Sequence, residues 1–194
     1  MFLIPLSLVI IVIAYLWNSY NWFVKAKTRI GASIQEIGNQ LKRQADLIPN
    51  LVESVKGYMK HEKSIFDEIT QARKAVLGAI KEGGADNLVE AGSRLEKALA
   101  PIRAVFESTP QLQAAQPTVK LMDEVRDTAD KIMYSRRTLI DLTADYNVRV
   151  ATFPGMFVAQ MFGFKKEAGL KTPETGKHVE VSEAEVETPK VKLN

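Results

Sequence analysis

The sequence contains no cysteine and only two histidines. The absence of thiols excludes a disulfide framework and any thiolate metal site. The 26 basic residues are nearly balanced by 23 acidic ones, which leaves a net charge of +3. A nucleic-acid-binding protein normally concentrates far more positive charge on one face. We therefore expect no nucleic acid among the partners.

The sequence also lacks the motifs of the common catalytic mechanisms. It has no Gly-rich phosphate loop, no nucleophile elbow and no Cys/His pair. His61 and Glu62 begin like a zinc-binding helix, but Ile65 stands where that motif requires its second histidine. The other histidine, His178, lies in a polar C-terminal stretch. We therefore expect no catalytic residue, no metal site and no cofactor, and we predict that the chain is not an enzyme.

Charge is absent from residues 1–24, thirteen of which are Leu, Ile, Val or Phe. As a helix this stretch is about 36 Å long, enough to cross a hydrocarbon core of about 30 Å. A cleaved signal peptide is the alternative, but the chain has no Lys or Arg before Lys25 and no convincing cleavage site after Ala14. We therefore predict an uncleaved transmembrane anchor over residues 1–24.

The end of this anchor has the composition of a membrane–water interface, where aromatic and basic side chains are enriched. The candidate interface residues here are Trp17, Tyr20, Trp22, Lys25, Lys27 and Arg29. Because the cations lie only on the C-terminal side of the anchor, the positive-inside rule predicts a cytoplasmic body and a very short N-terminus outside.

Residues 25–168 show helical periodicity, with apolar side chains at spacings of three and four and no period-2 stretch. Four runs can be distinguished: Ile30–Ala45, Ile48–Ile80, Leu88–Phe106 and Met122–Phe153. Gly83, Gly84, Pro110 and Pro117 separate the later runs. The pattern predicts an all-α fold in which an antiparallel up-down four-helix bundle follows the transmembrane helix.

Pro49 decides how the first two runs are joined. A proline inside a helix removes one hydrogen bond and crowds the carbonyl four residues earlier, here that of Ala45. It is also a favourable first residue of a new helix. These two properties allow a turn at Pro49 that starts a second helix. Three long helices with a kink at Pro49 are the alternative, because the apolar stripe keeps its phase across the proline.

Residues 153–164 form an uncharged, aromatic-rich segment at the end of the fourth run. One interpretation is an interfacial helix whose aromatic side chains enter lipid while lysines meet anionic head groups. Its candidate contacts are Phe157, Met161, Phe162, Lys165 and Lys166. The other interpretation is a capping helix over the end of the bundle core. We expect a turn at Pro49 to bring this segment back to the membrane, and a continuous helix to leave it far away.

Two arginines, Arg73 and Arg136, fall on the apolar stripes of different helices. Burying an unpaired charge costs several kcal/mol. Either the arginine stems lie along the helix seam with their heads in water, or the arginines belong to a buried ionic layer that fixes helix register.

Two groups of ordered motifs resemble those of the LemA family. The first group contains Asp46, Leu47, Ile48, Pro49, Asn50, Lys56, Gly57, Tyr58, His61 and Glu62, and the second contains Tyr146, Asn147, Phe153 and Pro154. The similarity extends over roughly residues 20–165. It implies a bacterial, single-pass inner-membrane protein with an antiparallel four-helix bundle, in a family whose molecular role is poorly defined. Because of this implied bundle, we predict a turn at Pro49 rather than a kink.

Two roles follow from the sequence as a whole. The first is a membrane-anchored, non-catalytic interaction or scaffold protein with its bundle in the cytoplasm. Its expected partners are the lipid bilayer, through residues 1–24, and proteins of unknown identity, with self-association as one option. The alternative is a lipid-surface-binding or membrane-shaping protein, in which residues 153–164 and the basic residues after the anchor act together on the bilayer. This alternative includes a specialised role of the magnetosome type, since the resemblance implies that proteins of magnetosome membranes have a similar domain.

The composition becomes polar over residues 169–194, which include Pro173, Pro189 and many charged residues. With little apolar surface to bury, this stretch is predicted to be a flexible tail. Residues 179–187 alternate between acidic and apolar side chains and could add a strand to a partner's sheet. Disorder without a specific partner is the alternative.

Overall fold

The computed structural model describes residues 3–59 and 62–170, and these residues form helices and connecting turns without a strand. The helices are α1 (Leu3–Val55), α2 (Lys63–Glu82), α3 (Ala85–Ser108), α4 (Pro110–Ala114), α5 (Gln116–Ala151) and α6 (Gly155–Phe162). The prediction of an all-α fold is confirmed. His61 and the possible strand at 179–187 lie outside the described residues.

The two longest helices, α1 and α5, run antiparallel and form the frame of the bundle. Near the apolar end of α1, the Phe23 ring meets the Tyr146 ring edge-on, with 5.7 Å between their centroids. Farther along, Gln44 Nε2 donates a hydrogen bond of 3.2 Å to the Val125 carbonyl. Residues farther from the apolar end of α1 therefore lie beside earlier residues of α5.

A hairpin of α2 and α3 covers the part of α1 that is distant from its apolar end. Arg73 of α2 contacts Ala45, and Gly92 of α3 lies against the Leu41 side chain. The chain thus passes up along α1, down along α2, up along α3 and down along α5. This is the predicted antiparallel up-down arrangement.

The predicted turn at Pro49 is wrong, because α1 continues through this residue to Val55. Pro49 leaves the Ala45 carbonyl without its usual donor. Arg73 supplies the missing hydrogen bond from the neighbouring helix, with 2.8 Å between its Nε and the Ala45 oxygen. Since the proline itself lies on the exposed side of α1, its ring requires no space in the core.

The first reversal of the chain lies between the end of α1 at Val55 and the start of α2 at Lys63. Backbone hydrogen bonds from Lys56 N–H to the Val52 carbonyl and from Tyr58 N–H to the Val55 carbonyl close the end of α1. This corrects a second expectation. We expected a continuous helix at Pro49 to carry residues 153–164 away from the anchor. Because the chain reverses after the end of α1 instead of at Pro49, it still passes along the bundle four times, and α6 lies beside Tyr20.

The core contains the apolar stripes predicted for the first three runs, and its largest fully buried aliphatic side chains are Ile37, Leu41, Leu51, Ile69, Leu95, Leu99, Ile102, Leu112 and Leu139. On α5 the predicted stripe is buried in part, but some positions differ; the buried members are Met122, Val125, Leu139, Thr143 and Tyr146. Ile132 and Arg136 are only half-buried, whereas Thr128 and Ser135 are buried. Thr128 tolerates burial because its hydroxyl donates to the Val125 carbonyl at 2.8 Å.

Candidate functional site

The candidate site is a collar around α1, at the point where its apolar stretch ends and the bundle begins. We define the collar as residues 17–29 of α1, residues 142–149 of α5 and residues 153–170, which include α6. The last seven of these residues, 164–170, follow Gly163 as an irregular strap. Gly163 has a positive φ of 74°, which reverses the chain at the end of α6.

Aromatic rings hold the collar together. Phe23 is fully buried and stacks on Phe164 with 4.9 Å between ring centroids and 21° between planes. Tyr20 contacts both Phe162, at 4.9 Å, and Phe164, at 5.7 Å. Tyr146 closes the cluster from α5. Such pairs add about 0.5–1.5 kcal/mol beyond the area they bury, so α6 and the strap are fixed to α1.

The short helix α6 has a buried face and an exposed apolar face. Gly155, Val158 and Ala159 are buried against α1 and α5. On its other side Phe157 is 55% exposed, Met161 64% and Phe162 48%, and the preceding Phe153 is 78% exposed. The capping interpretation therefore describes the inner face. Contact between the outer face and lipid stays a prediction.

Polar contacts fasten the strap at Glu167. The Asn147 amide donates to the Glu167 carbonyl and accepts from the Glu167 N–H, both at 2.9 Å. Lys27 Nζ lies 2.8 Å from Glu167 Oε1. The hydrogen bond and the negative charge of Glu167 raise the pKa of Lys27 above its ordinary value. Since Lys27 is exposed, this ion pair positions the strap more than it stabilises the fold.

Within the collar, three buried hydroxyls, those of Ser19, Thr143 and Tyr146, find no hydrogen-bond partner among the described residues. Burial is the main cause that raises the pKa of Tyr146, because the charged phenolate would lose its hydration there. A buried hydroxyl without a partner lowers stability.

The basic candidates from the sequence gather at the collar, where Lys25, Arg29, Lys165 and Lys166 are exposed. Arg149, which sequence reasoning missed, is half-buried, with its guanidinium carbon 4.2 Å from the centroid of the Trp22 ring. Its position in the last turn of α5 gave no signal, because the contact depends on where α1 lies. Glu167 was missed for the same reason.

The interface candidates of α1 differ in exposure. Trp17 is 73% exposed and Tyr20 is 40% exposed, whereas Trp22 is half-buried under Arg149. Trp22 therefore packs inside the collar, whereas Trp17 faces outward from it.

The two groups of family motifs occupy opposite ends of the bundle. The first group surrounds Pro49 and the reversal at 56–62. Ile48 is buried, Leu47 is half-buried, and the exposed members are Asp46, Pro49, Asn50, Lys56, Gly57, Tyr58 and Glu62. Tyr146 and Asn147 of the second group lie inside the collar, and Phe153 and Pro154 are exposed at its edge. About 26 residues of α1, or roughly 40 Å, separate the groups, so they do not form one site.

Comparison with known proteins agrees with this arrangement. The LemA family model matches residues 33–183. The chain belongs to the LemA family. This confirms the resemblance found in the sequence, and the match includes both groups of motifs.

Relatives of this LemA-family protein include the magnetosome protein MamQ of Magnetospirillum gryphiswaldense, 26% identical over 184 residues covering 83% of this chain and 67% of the relative. Magnetosome protein MamQ 2 of Paramagnetospirillum magneticum is 25% identical over 181 residues, covering 81% of this chain and 66% of the relative. The chain thus spans about two thirds of the length of these relatives.

The first part of α1 is long and apolar enough to cross a membrane, and only 6% of its most apolar window is buried within the described structure. Together with the similarity to the MamQ proteins, this supports membrane association. The LemA-family protein is therefore membrane-associated, and α1 contains its candidate single transmembrane segment.

Proposed function

We propose that this LemA-family protein is a single-pass, non-catalytic scaffold of the bacterial inner membrane, which holds its helical bundle in the cytoplasm for partner proteins. The observation that carries this proposal is the continuity of α1 from Leu3 to Val55. Its residues 25–55 alone extend about 46 Å. A bundle built on the same helix as the anchor keeps a fixed height and orientation, which a flexible linker would not provide.

Charge supports the proposed orientation. Lys25, Lys27 and Arg29 directly follow the apolar stretch, and residues 1–24 contain no cation. Cations on that side favour a cytoplasmic bundle.

Because the chain has no cysteine, a single introduced thiol reports orientation without background. We expect Glu53→Cys, near the distal end of α1, to resist a membrane-impermeant maleimide in spheroplasts and to react after the membrane is opened. Labelling in sealed spheroplasts would contradict the cytoplasmic orientation.

Scaffolding predicts contacts at the distal end of the bundle. Tyr58 is 53% exposed just beyond the end of α1, and α1 rises about 50 Å from Trp22 to Val55. A photo-crosslinking amino acid at Tyr58 should give discrete protein adducts in living cells, and an excess of the unlabelled chain should compete them away. The matched probe at the exposed Ile11 of the apolar stretch should not give these adducts. Absence of competable adducts at Tyr58 would contradict a scaffold that uses this end.

A second function, binding or shaping of the membrane surface, is favoured by the exposed apolar face of α6. Phe157 and Met161 project from a helix that is fixed beside Tyr20, and Lys165 and Lys166 follow it. Apolar side chains flanked by cations are typical of interfacial helices. The relatives are named magnetosome proteins, and we include a specialised role of that kind in this second proposal.

Site-directed spin labelling tests the second function in the full chain. A label at Phe157→Cys should relax faster with oxygen, which concentrates in lipid, than with a water-soluble nickel chelate. A label at Tyr134→Cys, a residue 72% exposed on α5, serves as the control and should show the opposite preference. Equal behaviour of the two labels would exclude lipid contact by α6.

A further inference from the structure

A groove of about 560 Å³ lies between α1 and α5 on the collar. Its volume falls in the usual range for small-molecule sites, about 300–1,000 Å³. Trp22 and Val24 line the end nearest the apolar stretch, and Arg29 lines the other end. The half-buried Leu142 adds apolar surface from α5.

Three charged side chains line this groove. Lys25 and Arg29 are four residues apart on α1 and therefore share one face of the helix, and Asp145 stands on α5. None of the three forms an ion pair with another described residue, although Lys27, on the same segment of α1, is paired with Glu167. Among the described residues, the groove thus offers two cations and one carboxylate without an ion-pair partner.

The groove spans the height at which a membrane changes from hydrocarbon to water. From Trp22 to Arg29, α1 rises about 10 Å, comparable to the headgroup layer of roughly 5–8 Å on each side of a bilayer. An occupant that enters from the membrane has its apolar part against Trp22 and Val24 and its polar part among the charges.

We propose that this groove binds the head of a phospholipid that carries both a phosphate and a primary ammonium group, as in phosphatidylethanolamine. Lys25 and Arg29 hold the phosphate by charge-assisted hydrogen bonds, and Asp145 accepts from the ammonium. A phosphate alone would leave Asp145 beside an anion, which is unfavourable. A quaternary ammonium head has no N–H to donate to this carboxylate.

This inference rests on the proposed membrane placement of the collar but not on lipid contact by α6. The full chain in detergent is titrated with ethanolamine, choline and glycerol phospholipids of identical acyl chains, and bound lipid is counted by native mass spectrometry. The ethanolamine lipid should bind most tightly.

Substitutions assign the two halves of the head. Asp145→Asn should weaken binding of the ethanolamine lipid about tenfold, as expected for one charge-assisted hydrogen bond, and should leave binding of the choline lipid unchanged. The double substitution Lys25→Gln and Arg29→Gln should weaken binding of all three lipids. Asp141→Asn, an exposed acidic residue one turn away on α5 and outside the groove, is the matched control and should change nothing.

Two results would overturn the proposal. One is equal binding of the ethanolamine and choline lipids, and the other is an equal effect of the Asp145 and Asp141 substitutions. The spin label at residue 157 of α6 tests the proposed membrane-surface function independently of the groove. Lipid contact at residue 157 without headgroup selectivity would therefore refute the groove and leave the membrane-surface proposal intact.

Discussion

Arg73 should stabilise the bundle mainly by replacing the hydrogen bond that Pro49 removes. The Ala45 residue is fully buried, so that water does not reach its carbonyl readily, and Arg73 Nε lies 2.8 Å from the oxygen. Hydrogen bonds to charged groups contribute about 1.5–3 kcal/mol, and a buried acceptor that loses its donor costs a similar amount. We therefore expect Arg73→Met to lower the free energy of unfolding by about 2 kcal/mol.

The effect should depend on the residue at position 49. In Pro49→Ala, a new backbone N–H donates to the Ala45 carbonyl as in any helix. Arg73→Met should then cost less than about 1 kcal/mol, which gives a coupling energy of about 1–2 kcal/mol between the two positions. Such a coupling energy would show that the contribution of Arg73 to stability depends on Pro49, although the two side chains need not be in contact.

Unfolding of the full chain in micelles, followed by far-UV circular dichroism with increasing urea, measures the four variants of this cycle. Lys74→Met, at an exposed position next to Arg73, controls for the loss of a positive charge on α2. An equal cost of Arg73→Met in the original chain and in the Pro49→Ala variant would refute the reasoning. A gain in stability in Arg73→Met would instead indicate that the Arg73 guanidinium is held only by contact with water.

Three further predictions concern the collar and its connection to the bundle. A Cβ at Gly155 would lie 2.5 Å from the Arg149 carbonyl oxygen, so Gly155→Ala should lower the free energy of unfolding by about 1–3 kcal/mol in the same urea titration. A Cβ at Gly31 would have nothing within 4 Å, so Gly31→Ala should raise the free energy of unfolding by about 0.5–1 kcal/mol. Equal effects of the two substitutions would contradict this packing. Asn147→Ala removes both hydrogen bonds to the strap and should speed amide exchange there, and unchanged exchange would show that the rings alone hold it. Burial raises the pKa of Tyr146 above its ordinary 10.0. Stability should therefore fall above about pH 10, because the unfolded chain loses this proton first. In a pH series of unfolding curves, Tyr146→Phe should reduce that loss of stability without a cost at pH 7, and an unchanged alkaline loss would exclude Tyr146 as its cause.

Sequence periodicity predicted the all-α class and the regions of α2, α3 and α5, but not the continuous α1 or the short α4. Gly83-Gly84, Pro110 and Pro117 separate helices as expected, because glycine and proline act through the local backbone. Pro49 misled for an equally physical reason. The local rule counts the lost hydrogen bond correctly, but the replacement donor comes from Arg73, 28 residues away along the chain, and no local pattern reveals such a partner.

The collar could be predicted only in part. Its aromatic and basic residues carry a recognisable membrane-interface composition. The hydrogen bonds between Asn147 and Glu167 and the stacking of Arg149 on Trp22 depend on how α5 and the strap meet α1. These contacts are set by tertiary packing, which spacing along one helix does not encode.

The proposed scaffold depends on α1 being one rigid helix from the anchor to the far end of the bundle. Spin labels at Arg29→Cys and Glu53→Cys, introduced into the full chain in lipid nanodiscs, test it by pulsed dipolar spectroscopy. A continuous helix predicts a narrow distance distribution near 36 Å, from about 1.5 Å per residue over the interval. A distribution centred near 25 Å, as a reversal at Pro49 would give, or a broad one, would contradict the account.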